Sequence, residues 1–134
     1  MTKLRGFMVL AILAAGMGLT ARAADINGKW TASLHTGGGD LQYVYTFKVD
    51  GETLTGTAKP TKVTGTTLAE RPEIVLTEGS VKGDDVTFVE NYPAGAKTMK
   101  ILYVGKISGD EISFTRHVGE KEFATETLVA KRVK

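Results

Sequence analysis

The chain contains no cysteine. That excludes disulfides, a thiolate nucleophile, cysteine metal ligands and the cysteine-borne lipid of bacterial lipoproteins. Histidine is nearly as scarce: His35 borders a glycine-rich turn and His117 falls on an outward strand position, so neither belongs to a metal site and no metal or cofactor is expected. Gly37-Gly38-Gly39-Asp40 is not followed by a helix, so it lacks what a phosphate-cradling glycine loop requires. No Ser-His-Asp order can be assembled, and no residue is assigned a catalytic role. Beyond the first twenty or so residues there is no long apolar run and no sustained helical period.

The one apolar run, Gly6–Leu19, follows Lys3 and Arg5 and precedes Ala21-Arg22-Ala23. A basic start, a short apolar stretch and an A-x-A site form the pattern of a secretory signal peptide. Residues 1–23 are therefore expected to be removed, leaving a single domain over 24–134 that is periplasmic or secreted and has no membrane span. The formal charge of +2 depends on this segment. Without Lys3, Arg5 and Arg22, acidic residues outnumber basic ones and the net charge is −1, which gives no basic surface for nucleic acid.

Alternating segments fill the remainder. Strands are expected over Gly28–Thr36, Leu41–Val49, Thr53–Lys59, Glu73–Lys82, Asp85–Tyr92, Thr98–Ser108, Glu111–Val118 and Phe123–Val133. Three hairpins share one phrase: β-aliphatic, x, Gly, acid, x, aliphatic, Thr or Ser. They are centred on Asp50-Gly51, Lys82-Gly83 and Ser108-Gly109. With Ser108-Gly109 as the loop, Tyr103 faces Phe114 and Ile101 faces Arg116; with Asp50-Gly51 as the loop, Tyr45 faces Gly56. Eight sequential strands with mostly short connections predict an all-β, eight-stranded, antiparallel up-and-down barrel, whose closure removes exposed edges. A β-sandwich remains the alternative, if Thr36–Asp40 and Pro93–Lys97 cross between sheets. The tight turns fall at one end, and the long Pro60–Pro72 loop, Pro93–Lys97 and Gly119–Glu122 fall at the other. Loops and barrel mouths are where binding residues concentrate.

Asn27-Gly28-Lys29-Trp30-Thr31 opens the first strand, and Gly51-Glu52-Thr53-Leu54-Thr55-Gly56-Thr57 follows. Gly-x-Trp at the head of a meander barrel resembles the calycins, the group that includes lipocalins and avidins. The resemblance implies that Trp30 packs at the closed end beneath a basic side chain of the last strand, here Arg132, both in a structural role. Avidins surround biotin with several tryptophans; with Trp30 alone, biotin is not implied. The ending Ala124–Arg132 also resembles that of small secreted bacterial β proteins, a likeness that carries no activity.

Following the inward faces, polar side chains gather toward the loop-bearing end: Tyr43, Glu90, Tyr92 and Arg116, with Tyr103 nearer the middle. Glu126 joins them if a bulge precedes the last strand; otherwise Thr125 and Thr127 face in. Charges inside a small barrel require partners, so this set either closes the barrel as an ion-pair network or reads a ligand. The function expected is non-catalytic binding of a small molecule at the open end. Two alternatives remain: a cell-envelope protein-interaction module with a packed core, and a small hydrolase or isomerase using Glu90 or Glu126. The interaction reading, and with it a homo-oligomer, draws on Val44, Ile74, Leu76, Val89, Leu102 and Val104, all outward unless a bulge near Glu78-Gly79 turns Ile74 and Leu76 inward.

Overall fold

Short-range alternation becomes ten strand segments in the computed structural model, which describes residues 25–36, 39–119 and 124–134. The expected signal peptide lies outside the described residues. In chain order the segments are β1 (Gly28–Thr36), β2 (Gly39–Asp50), β3 (Thr53–Thr64), β4 (Thr67–Glu70), β5 (Ile74–Val75), β6 (Thr77–Lys82), β7 (Asp85–Ala94), β8 (Lys97–Ser108), β9 (Glu111–Val118) and β10 (Ala124–Arg132). Each pairs antiparallel with its neighbours, and β1 returns to pair with β10. Because β5 and β6 form one interrupted stave and β4 pairs with β3 alone, the ring is a closed eight-stranded antiparallel barrel. The sandwich alternative is set aside.

The tight turns lie one residue further along than the repeated phrase suggests. Ser108 pairs with Glu111, Lys82 with Asp85 and Asp50 with Thr53, so the loops are Gly109-Asp110, Gly83-Asp84 and Gly51-Glu52. Glycine takes the first loop position with φ near +60°, while the residue after it does not have positive φ, the signature of a type II′ turn. Moving the loop by one residue moves every pairing by two, so the faces survive but the partners change. Arg116 lies opposite Tyr103 rather than Ile101, and Tyr45 opposite Ala58 rather than Gly56.

The mouth also differs from the expected loops. Strand β3 runs on through Pro60 to Thr64 and returns as β4 through Gly65-Thr66, and the β7–β8 ladder continues to Ala94–Lys97 around Gly95-Ala96. Both tips again place a positive-φ glycine first. The mouth is thus built largely from extended hairpins.

One bulge decides a second open point. Pairing with β3 and β7 shifts by one residue between Leu76 and Ser80, and Glu78 is the one described non-glycine residue with positive φ, at 53°. The extra residue reverses the face, so Ile74 and Leu76 point inward and are buried, as Val81 is beyond the bulge. Val89 is also buried. Of the six supposed wall residues only Val44, Leu102 and Val104 stay exposed, and Val44 on β2 lies four strands from β8, on the opposite side of the ring. The exposed apolar side chains of the wall are thus divided between Leu102 and Val104 on β8 and Val44 with Val129 beside the β1–β10 seam.

The interior is filled from the closed end upward. Trp30 is fully buried, its Nε1 donates to the Ile26 carbonyl at 3.0 Å, and the Arg132 guanidinium lies 4.5 Å from its ring centre. Arg132 also donates to the carbonyls of Asn27 and Asp25 and to Asp110, so it clamps the entering chain, the last strand and the β8–β9 turn together. Next come Phe47, Phe88, Phe114, Tyr45 and Tyr103, with Phe88 stacked on Tyr103 at 4.4 Å and Phe114 edge-on to Tyr103 at 5.4 Å. Gly105 makes room for this column: a Cβ there would stand 2.5 Å from the Phe114 ring.

Candidate functional site

Above the aromatic column lies a polar layer. Glu90, on β7 between Val89 and Asn91, is wholly buried. Its carboxylate accepts from the Tyr103 hydroxyl at 2.7 Å and the Tyr43 hydroxyl at 3.0 Å, and stands 3.5 Å from Arg116 Nη2. A further bond of 2.9 Å joins the hydroxyls of Tyr45 and Tyr103. Burial pushes the Glu90 pKa above the ordinary carboxylate value; the Arg116 charge and the two tyrosine donors oppose it without cancelling it. Burial likewise drives the hydroxyls of Tyr43, Tyr45 and Tyr103 far above the usual phenol range, so all three stay protonated donors.

Arg116 is the hinge of the layer. It is 3% exposed, and its guanidinium lies between the rings of Tyr43 and Tyr103, at 5.5 and 5.3 Å from their centres. Nη2 donates to the Tyr43 hydroxyl at 3.2 Å and Nη1 to Glu126 Oε1 at 2.7 Å, while buried Nε has no acceptor among the described residues. Glu126 sits directly opposite Arg116 in the β9–β10 ladder, so the register that points Glu126 inward is the one adopted.

Over this layer, at the mouth, opens a cavity of about 350 Å³. Its apolar lining is Leu41, Met99, Ile101, Val118, Ala124 and the Tyr92 ring; its polar lining is Thr36, Lys62, Arg71, Arg116 and Glu126. Of the residues expected at a ligand site, Tyr92, Arg116 and Glu126 line the cavity. Tyr43, Glu90 and Tyr103 are packed beneath it as its support. Lys62 and Arg71 escaped the sequence reading because both fell inside the supposed Pro60–Pro72 loop. Carrying the alternation of β3 past Pro60 would have found Lys62, opposite inward Leu41. Arg71 is held by its backbone N–H, which donates to the Pro60 carbonyl at 2.9 Å, and its guanidinium stands 5.7 Å from the Tyr92 ring centre.

A second depression, about 550 Å³, lies on the outer wall along the meeting of β1 and β10, lined mainly by the outward residues Thr31, Ser33, Gln42, Val44, Val129 and Lys131. There the ladder is only two pairs long, Trp30–Arg132 and Thr31–Lys131. No cluster of three or more metal-ligating side chains occurs among the described residues. His35 is on the surface, 2.8 Å from Asp40. Compared with known families, characterised proteins and solved structures, the chain finds no match.

Proposed function

We propose that this chain is a periplasmic or secreted barrel of calycin type that binds a small molecule, without transforming it, in the cavity at its mouth. The observation that carries the reading is the contrast inside one barrel: the closed half is packed solid with aromatic rings, while the mouth keeps about 350 Å³ lined by apolar side chains around a few convergent polar groups. A purely structural interior has no use for that space. Trp30 beneath Arg132 at the opposite end supports the calycin part of the reading. The non-catalytic part rests on how the carboxylates are engaged. Glu90 is sealed under the cavity floor, and Glu126 is paired to Arg116. Burial of Ile74, Leu76 and Val89 leaves the envelope-interaction reading a smaller apolar wall to work through.

The test is a compound screen followed by NMR of the methyl groups of Leu41, Met99, Ile101 and Val118. Binding in the cavity should shift these signals and leave Leu54 and Val81, deep in the closed half, in place. Ala124→Trp, which puts an indole at the cavity lining, should abolish the shifts in a folded protein. A broad screen in which no compound moves the mouth methyls, or shifts that survive Ala124→Trp, would refute the reading.

A further inference from the structure

The charges around the cavity are unbalanced even when buried Glu90 is counted beside Arg116. Among the described lining residues stand three cations, Lys62, Arg71 and Arg116, against one acid, Glu126. The chain without its first 23 residues is net negative, so the cationic lining runs against the overall composition. Lys62 continues the inward face of β3, and neither it nor Arg71 is ion-paired to a described residue. Arg116 is fixed in place: buried, held between two tyrosine rings and bonded through Nη2, with Nε still lacking an acceptor. Glu126 is the loose member of its pair, since its side chain keeps 29% of its exposure against 3% for Arg116. The Glu126 carboxylate therefore shows which chemical group the Arg116 position accepts, and it can turn out toward solvent when another carboxylate arrives.

We infer that the ligand is a compact amphipathic carboxylic acid whose carboxylate takes the place of Glu126 on Arg116. This rests on the binding reading above and adds the ligand's class to it. Lys62 and Arg71 face the incoming charge at the rim, and the apolar body lies against Leu41, Met99, Ile101 and Val118. At about 30 Å³ of liquid volume per water, the cavity encloses a body of about a dozen non-hydrogen atoms, and a longer chain would project from the mouth into solvent. A buried guanidinium receiving a carboxylate forms a charge-assisted bond, stronger than the bond it would give a neutral group.

Matched pairs test this: octanoate against octanamide and phenylacetate against phenylacetamide, titrated calorimetrically into the full barrel at low and high salt. The acid of each pair should bind about tenfold or more tightly than its amide, with the advantage shrinking as salt rises. Lys62→Gln and Arg71→Gln, both at the rim, should weaken the acids severalfold more than they weaken the amides. Glu126→Gln, which removes the competing carboxylate, should tighten the acids. Equal binding of acids and amides, or weaker acid binding by a folded Glu126→Gln barrel, overturns the inference while leaving a neutral-ligand site standing. Binding by no member of either pair also overturns it; the broader reading then stands or falls on the methyl screen.

Discussion

Glu90 and Arg116 are the residues whose charges the fold can least ignore. The folded state holds the Glu90 proton to higher pH than the unfolded chain does, because burial outweighs Arg116 and the tyrosine donors. Its contribution is therefore fully present below the unfolded carboxyl value and is lost as pH rises through the raised folded one. Removing Arg116 makes this worse by taking away the cation that opposes the shift. Arg116→Met should cost about 3–5 kcal/mol near neutral pH, the usual penalty for breaking one side of a buried pair. The loss should shrink toward pH 4, where Glu90 keeps its proton, and adding Glu90→Gln to Arg116→Met should restore much of it at neutral pH. Urea melts of the wild type and the two variants at both pH values check this; an Arg116→Met penalty that is the same at both would contradict the assignment of charge.

At the scale of the strand, two glycines permit what side chains would forbid. Gly79, beside the Glu78 bulge, lies so close to β3 that a Cβ would come within 2.1 Å of the Leu54 carbonyl oxygen. Gly79→Ala should cost at least about 2 kcal/mol, because backbone rather than a pliable side chain must yield. Gly95→Ala, at a turn tip with open space but φ of +69°, should cost about 1 kcal/mol. Chemical denaturation compares them, and a Gly79→Ala loss below about 0.5 kcal/mol, a surface value, would deny the close approach.

These details separate what the chain's letters reveal from what they hide. Period-two alternation located the strands and named the inward faces, because one face of every stave must meet the core. The turn glycines were visible, but Asp-Gly and Gly-Glu readings of the same tetrapeptide differ only in backbone conformation, so partners were misplaced by two. The bulge at Glu78 and the extension of β3 through Pro60 follow from neighbouring strands rather than local composition. That is why Arg116, Tyr92 and Glu126 could be found in advance, whereas Lys62 required the alternation of β3 to be carried past Pro60 and Arg71 had no local signal.

Across the whole molecule, the barrel is a graded cylinder: an indole under a guanidinium, then rings, then one ionised layer, then space. The seam where β1 meets β10 has a consequence for how this cylinder assembles. Every other joint on the ring is made by strands close in sequence, whereas this one unites the first strand with the last and so carries the largest chain-closure entropy. It is also secured by only two ladder pairs, against ten between β7 and β8. Folding therefore ends, and unfolding begins, along this seam, starting from its unpaired stretch toward the mouth and finishing at the two pairs beside Trp30 and Arg132. Hydrogen exchange should show the amides of Ala32–Thr36 and Ala124–Ala130 that face the seam opening well before those of β7 and β8, and uniform protection around the ring would contradict it. A barrel that unlatches beside its own mouth has a second way for a ligand to leave: sideways, through its wall.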